Sequence, residues 1–197
     1  ALPIIKHRTL FHLLARLKNA QYRVRAGEYE LSTAMSPANI LDKLIMGEVV
    51  EYTVSIPEGY DLRKIADRLA EDKLVKKDVF LRLAKDPEFL ASLGITAGSL
   101  EGYLFPDTYV FNRKMGEEEI IKMMVRRFEE KVTPEMKKRA MSLGLTPNQL
   151  LTLASLIEKE AKLKSERALI SAVFHNRLQK GMKLQCDPTA VYGLADF

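Results

Sequence analysis

Tryptophan is absent and cysteine occurs once, at Cys186. No internal disulfide and no cysteine-rich metal centre can therefore be built. The lone thiol leaves the compartment open, because an exported protein can fold without disulfides. Histidine is also scarce, and His7, His12 and His175 fall at helix-like positions without the spacing of metal ligands. No glycine-rich phosphate loop and no Ser-His-Asp order is present, so neither a metal nor an organic cofactor is expected. Nowhere does an apolar run reach the roughly 18 residues of a membrane-spanning helix, and no signal peptide leads the chain. The opening ALPIIKHRTLF reads as the interior of a fold, so a natural start is expected further upstream.

Against these absences stands ordinary globular composition, 47% hydrophobic and 29% charged over 197 residues. That length supports one large domain or two small ones with a proper core. The net charge of +5 and pI near 9.2 favour anionic surroundings such as nucleic acid, a membrane surface or an anionic wall polymer. The basic residues are spread along helices without interleaved aromatics, which gives nucleic-acid binding no motif support.

Periodicity predicts helices and a few short strands, an α+β chain. Leu10, Phe11, Leu14 and Leu17 have helical spacing within His7–Ala20. Arg23–Leu31 suggests a short strand pair bent at Gly27. Ser36-Pro37 caps a helix carrying Ile40, Leu41, Leu44 and Ile45, which Gly47 ends. Val50, Tyr52, Val54 and Ile56 alternate as in a half-buried strand. After Pro57-Glu58-Gly59 turns the chain, Asp61 caps a helix with Leu62, Ile65, Ala66 and Leu69. Further helices are predicted over Val79–Lys85 and from Asp86-Pro87 to Gly94. Gly98–Val110 is aromatic-rich and irregular or extended. Helices follow over Gly116–Lys131, from Thr133-Pro134, from Thr146-Pro147 and over Ser165–Lys180, and MKLQCDPTAVYG reads as strand plus turn. A faint internal echo, IIKHRTLFHLLARL against LVKKDVFLRLAKD, fits either an old duplication or a chance repeat of pattern.

The most informative stretch is Thr146–Lys164, TPNQLLTLASLIEKEAKLK. Thr146 suits the N-cap and Pro147 the first helical position. Projected at about 100° per residue, Leu150, Leu151, Leu153, Ala154, Ile157 and Ala161 share one apolar arc, and Glu158 falls inside it. Glu160 lies at its other edge, while Thr152, Ser155 and Lys159 take the polar side. A carboxylate on a burying face is costly unless paired or protonated. Glu158 is thus either a half-buried acid with a raised pKa or a structural partner of an arginine such as Arg167 or Arg177.

VSIPEGYDLRKIADRLAEDKLV (strand, Pro-x-Gly turn, capped helix, connector) resembles a LysM-like βα unit, a module that binds N-acetylglucosamine-containing glycans. LEGYLFPDTY (Leu100–Tyr109), LASLIEKEA (Leu153–Ala161) and VFHNRLQKGMKLQCDPTAVYG (Val173–Gly193) occur in this order and at this spacing in the YceG-like family. Those proteins are endolytic murein transglycosylases of bacteria, and the resemblance covers nearly the whole chain. His175 departs from the aliphatic residue expected at its position.

This resemblance implies an N-terminal part over residues 1–98, with the LysM-like unit at about 50–98, and a mostly helical catalytic part with short strands over 99–197. The family's domain continues well past Gly193, so the catalytic part is expected to be C-terminally incomplete. Also implied are one N-terminal transmembrane helix outside this chain, a bacterial inner-membrane location and an extracytoplasmic, periplasmic catalytic part. The implied reaction cuts peptidoglycan strands between N-acetylmuramic acid and N-acetylglucosamine without water, leaving 1,6-anhydro-muramyl ends and limiting nascent strand growth. Cell-wall synthases (penicillin-binding proteins) are implied partners, and nucleic acid is not.

The catalytic residue implied is Glu158, the first glutamate of the ASxxEKE pattern. Its chemistry suits the role: one glutamate can protonate the glycosidic oxygen and then, as carboxylate, deprotonate the muramyl C6 hydroxyl. Tyr103, Asp107 and Tyr109, with Asn176, Arg177, Gln185, Asp187, Thr189 and Tyr192, are expected to line the sugar groove by stacking and hydrogen bonding. Each could equally serve the fold. Glu160 is expected to support the site, exposed, capping backbone or holding Arg177. A non-catalytic peptidoglycan-binding module that positions synthases is the alternative. A pyridoxal-phosphate lyase would need a Schiff-base lysine in a phosphate cup, and no such setting is visible in the sequence.

Overall fold

The computed structural model describes residues 8–20 and 22–187. Helix starts follow side-chain caps wherever the sequence offers one. Ser36, Asp61, Asp86, Thr133 and Thr146 each accept the backbone N–H three residues on, opening α2 (Pro37–Met46), α3 (Leu62–Glu71), α5 (Pro87–Ser92), α7 (Pro134–Ser142) and α8 (Pro147–Glu160). The other helices are α1 (Arg8–Leu17), α4 (Lys77–Leu83), α6 (Glu117–Lys131) and α9 (Arg167–Gln179), the last entered through a 3₁₀ turn at Lys164–Glu166. Among the described residues no helix is long and apolar enough to cross a membrane.

One two-stranded antiparallel sheet pairs β1 (Tyr52–Ser55) with β2 (Thr108–Phe111), Val54 opposite Tyr109 and Tyr52 opposite Phe111. Because side chains alternate along a strand, these four residues share the covered face. On the other face Ser55 and Thr108 join hydroxyls at 2.9 Å. Ile56 N–H donates to the Asp107 carbonyl and carries the pairing one bond further. The main core lies over this sheet. Val54, Leu69, Phe80, Leu100, Phe111, Ile120, Ile121 and Met124 are buried there essentially completely. It takes side chains from both sides of residue 98, and β2 is what closes the sheet on β1.

A second, smaller cluster gathers Leu153 of α8, Phe174 of α9 and Cys186, with Leu145, Leu156, Ile157, Ile170 and Leu184 around them. At the other end α1 packs on α2, where Ile40 and Leu41 are buried.

Two predicted strand regions differ. Arg23–Leu31 is irregular, because its backbone bonds to later parts of the chain are isolated, Arg25 N–H to Leu44 O and Val50 N–H to Glu28 O, with no ladder. Residues 182–187 form no strand. They fold back on α9 through Arg177, whose Nη1 donates to Lys183 O, Leu184 O and Gln185 Oε1.

Candidate functional site

The N-terminus of α8 is closed by a reciprocal pair: Thr146 Oγ1 accepts from Gln149 N–H at 3.2 Å, and Gln149 Oε1 accepts from Thr146 N–H at 2.9 Å. Along the helix, Leu153 enters the small cluster while Leu151 reaches the main core. The helix therefore bridges the two. Leu151 is received at Gly102, the third residue of the turn Leu100–Tyr103, which is closed by Tyr103 N–H to Leu100 O at 2.9 Å. Gly102 has φ +81°, and a Cβ there would lie 3.0 Å from Leu151 Cδ2. A positive φ at the third position calls for glycine, and the close approach of α8 calls for it again.

Glu158 sits in the last turn of α8, where unpaired carbonyls and the helix dipole disfavour a carboxylate by about 0.3–1 kcal/mol. Arg167 offsets this. Its Nη2 lies 2.8 Å from Oε1 and 2.7 Å from Oε2 of Glu158. Glu166 makes the contact possible: its carboxylate accepts from Lys162 N–H and Leu163 N–H, folding the connection so that the start of α9 meets the end of α8. The Glu158 side chain is 40% exposed, and Ala154 beside it on the arc is exposed as well. The half-buried apolar setting expected around Glu158 is thus replaced by a guanidinium at a partly open surface. Only part of the arc is covered by other elements.

Lys159 points elsewhere. Its Nζ donates to Gly59 O at 3.2 Å, in the turn between β1 and α3. Nearby, Glu101 Oε2 accepts Leu62 N–H at 3.1 Å, at the start of α3. Burial pushes the Glu101 carboxyl above its ordinary range, while the Leu62 hydrogen bond and the Lys159 charge pull the other way. The Gly59 turn, the Gly102 turn and the end of α8 meet here. Glu101 and Lys159 were not singled out in the sequence. Their one sequence signal is position, Glu101 within LEGYLFPDTY and Lys159 within LASLIEKEA.

The remaining candidates are dispersed. Tyr103 is buried against Phe128, ring centroids 5.3 Å apart, and Tyr109 is buried against Phe111 with its hydroxyl donating to Phe105 O at 2.6 Å. Burial raises both phenol pKa values. Rings so enclosed offer a sugar no face, so they hold the core here. Asp107 accepts from Arg127 Nε at 2.6 Å, which keeps its carboxyl below the usual range, at the edge of a cavity of about 310 Å³ bordered by Arg126, Arg127 and Glu130. Arg177 latches the segment after α9, including Gln185. Asn176, Gln185 and Asp187 are exposed. Glu160 is exposed and does not hold Arg177. Thr189 and Tyr192 lie outside the described residues.

The profile of the YceG-like family matches residues 2–197. The endolytic murein transglycosylase of Bacillus subtilis (strain 168) is 37% identical over 209 residues, covering 96% of this chain and 56% of that protein. Its counterpart in Streptococcus pneumoniae serotype 2 (strain D39) is 35% identical over 215 residues, covering 96% of this chain and 39% of that protein. A yceG-like protein of Listeria monocytogenes, known from a 2.6 Å crystal structure, superposes with a TM-score of 0.66 at 34% identity, over 98% of this chain and 69% of that one. The chain thus spans between 39% and 56% of the length of these curated relatives. The chain therefore belongs to the YceG-like family.

Proposed function

We propose that this chain carries the catalytic glutamate of a lytic peptidoglycan transglycosylase, and that Glu158 is that residue. The observation that carries the reading is the match, over 96% of the chain, to proteins named endolytic murein transglycosylases. In the proposed cycle protonated Glu158 gives its proton to the glycosidic oxygen as the muramyl C1–O bond breaks. The C6 oxygen then closes on C1, and the Glu158 carboxylate takes the C6 hydroxyl proton. The 1,6-anhydro ring forms without water and the acid is regenerated. Both Glu158 oxygens lie on Arg167, so the acid step requires Arg167 to yield, and the same guanidinium then receives the carboxylate.

Asp107, Asn176, Gln185 and Asp187, dispersed as they are, would bond sugar hydroxyls at separate points along the strand, and Thr189 and Tyr192, outside the described residues, are proposed for the same role. Tyr103, Tyr109 and Arg177 back them by packing and latching. The order β1, α3, α4, α5, β2 around one antiparallel pair supports the LysM-like glycan-binding unit expected over about 50–98, with β2 as a closing strand supplied from beyond residue 98. A membrane anchor and contact with wall synthases belong to the longer protein and are proposed with it.

The test is digestion of purified glycan strands by the intact protein and by its Glu158→Gln variant, with product masses measured. Anhydro-muramyl ends from the parent, reduced about 10²-fold or more in the variant, are expected. Hydrolysed reducing ends, or undiminished cleavage by Glu158→Gln, would refute the mechanism. The Glu158–Arg167 pair at a partly exposed surface also suits a non-catalytic strand-binding module. Strands bound but left uncut by the parent would establish that reading.

A further inference from the structure

A second cavity, of about 320 Å³, opens where the start of α3 faces the end of α4. Leu62 and Leu81 contribute apolar surface to its lining, and Arg63, Arg82, Lys85, Ser99 and Glu101 complete it. Among the described residues neither Arg82 nor Lys85 has an ion-pair partner. Arg82 and Lys85 thus bring two unpaired cations to a pocket with one carboxylate, Glu101, which is engaged by Leu62 N–H at 3.1 Å. The volume is at the lower end for ligand pockets, which suits one substituent rather than a run of sugars. Glu101 also ties the pocket to α8, because the charge of Lys159 acts on it and Lys159 is bonded to the neighbouring Gly59 carbonyl.

We propose that this pocket binds a carboxylate carried by the muramyl residues of the glycan strand, with Arg82 and Lys85 as its principal ligands and Leu62 and Leu81 beneath the substituent's apolar atoms. The inference rests on the reading of the chain as acting on peptidoglycan. The pocket is a recognition element beside the end of α8 and takes no part in bond breaking. Two sources carry the carboxylate: the lactyl ether of a bare muramyl sugar, and the peptide attached through it.

Binding is measured in the Glu158→Gln background, so that no strand is cut. Three preparations are compared: peptide-bearing strands, peptide-free strands with free lactyl carboxylates, and peptide-free strands with those carboxylates amidated. Arg82→Glu with Lys85→Glu is expected to weaken binding tenfold or more for an acidic strand and to leave amidated strands unaffected, with Arg82→Gln plus Lys85→Gln intermediate. Loss confined to peptide-bearing strands assigns the site to the peptide, and loss with peptide-free acidic strands assigns it to the lactyl group. Equal losses for amidated and acidic strands, or equal affinity of the unsubstituted pocket for both, overturn the proposal. Should the double variants unfold, amide shifts of Arg82 and Lys85 on titration with acidic but not amidated strands are the deciding measurement, and their absence overturns it. With Glu158 restored, the charge-reversed protein should show raised KM at unchanged kcat. Persistent cleavage by Glu158→Gln would refute the lytic mechanism while leaving the binding result intact.

Discussion

Substituting Gly102 by alanine tests whether α8 is held where the structure places it. At φ +81° a Cβ collides with its own backbone, a cost of about 1–2 kcal/mol. The same Cβ would come within 3.0 Å of Leu151 Cδ2 and 3.2 Å of Cγ. Leu151 is only half-buried and can turn partly aside, so the overpacking cost belongs at the lower end of the usual range, about 1–2 kcal/mol. Together the loss is about 2–4 kcal/mol, or roughly 5–15 °C in Tm for a chain of this size.

Gly94 supplies the control, since its φ is +69° and an added Cβ would meet nothing within 4 Å. Gly94→Ala should show the backbone cost alone. Urea titrations of both variants, of Leu151→Ala and of Gly102→Ala/Leu151→Ala complete a double-mutant cycle. Coupling of about 1 kcal/mol between positions 102 and 151 is expected, because shortening Leu151 relieves the clash. If Gly102→Ala costs no more than Gly94→Ala, or if the two substitutions add without coupling, α8 does not rest on this turn.

Two further perturbations follow from the same contacts. Thr146→Ala removes the side chain that accepts Gln149 N–H and should cost about 1 kcal/mol in chemical denaturation. Asp107 is held below its ordinary pKa chiefly by the hydrogen bond from Arg127. Its contribution to stability is therefore fully present above the unfolded carboxylate pKa and is lost as pH falls through the lower folded value. Asp107→Asn should flatten that acid limb in Tm measured against pH, and an unchanged acid limb would discount the ion pair.

Much of the helical framework was legible because its punctuation is local. Thr146-Pro147, Ser36-Pro37 and Asp86-Pro87 each carry a cap and a fixed φ within two residues, and each opens a helix. Alternation across Tyr52–Ser55 marked β1 for the same reason. Its partner was not legible. Thr108–Phe111 pairs with β1 across more than fifty residues, and nothing within Gly98–Val110 announces that register. The wheel of α8 placed Glu158 among apolar neighbours, but a wheel states which residues share a face and not what covers it. In the folded chain Leu153 is buried while Ala154 is exposed. Arg167 could be named from the sequence as one of two possible partners. Selecting it over Arg177 required the fold of the connection, where Glu166 gathers Lys162 and Leu163.

The triplet Glu158-Lys159-Glu160 shows how adjacent charges acquire separate duties. Successive residues on a helix point about 100° apart, so one neighbour cannot serve both others. Glu158 faces Arg167, Glu160 is exposed, and Lys159 reaches across to the Gly59 carbonyl. Leu151 against Gly102 anchors α8 toward its middle, and Lys159 anchors it at the end. Two anchors along one helix fix its rotation about its own axis, and that rotation sets the direction of the Glu158 carboxylate. Under the proposed mechanism that direction matters, since a reacting group displaced by about 1 Å loses on the order of 10²-fold in rate. The Gly59 and Gly102 turns, both outside α8, therefore govern where Glu158 points as directly as the helix that carries it.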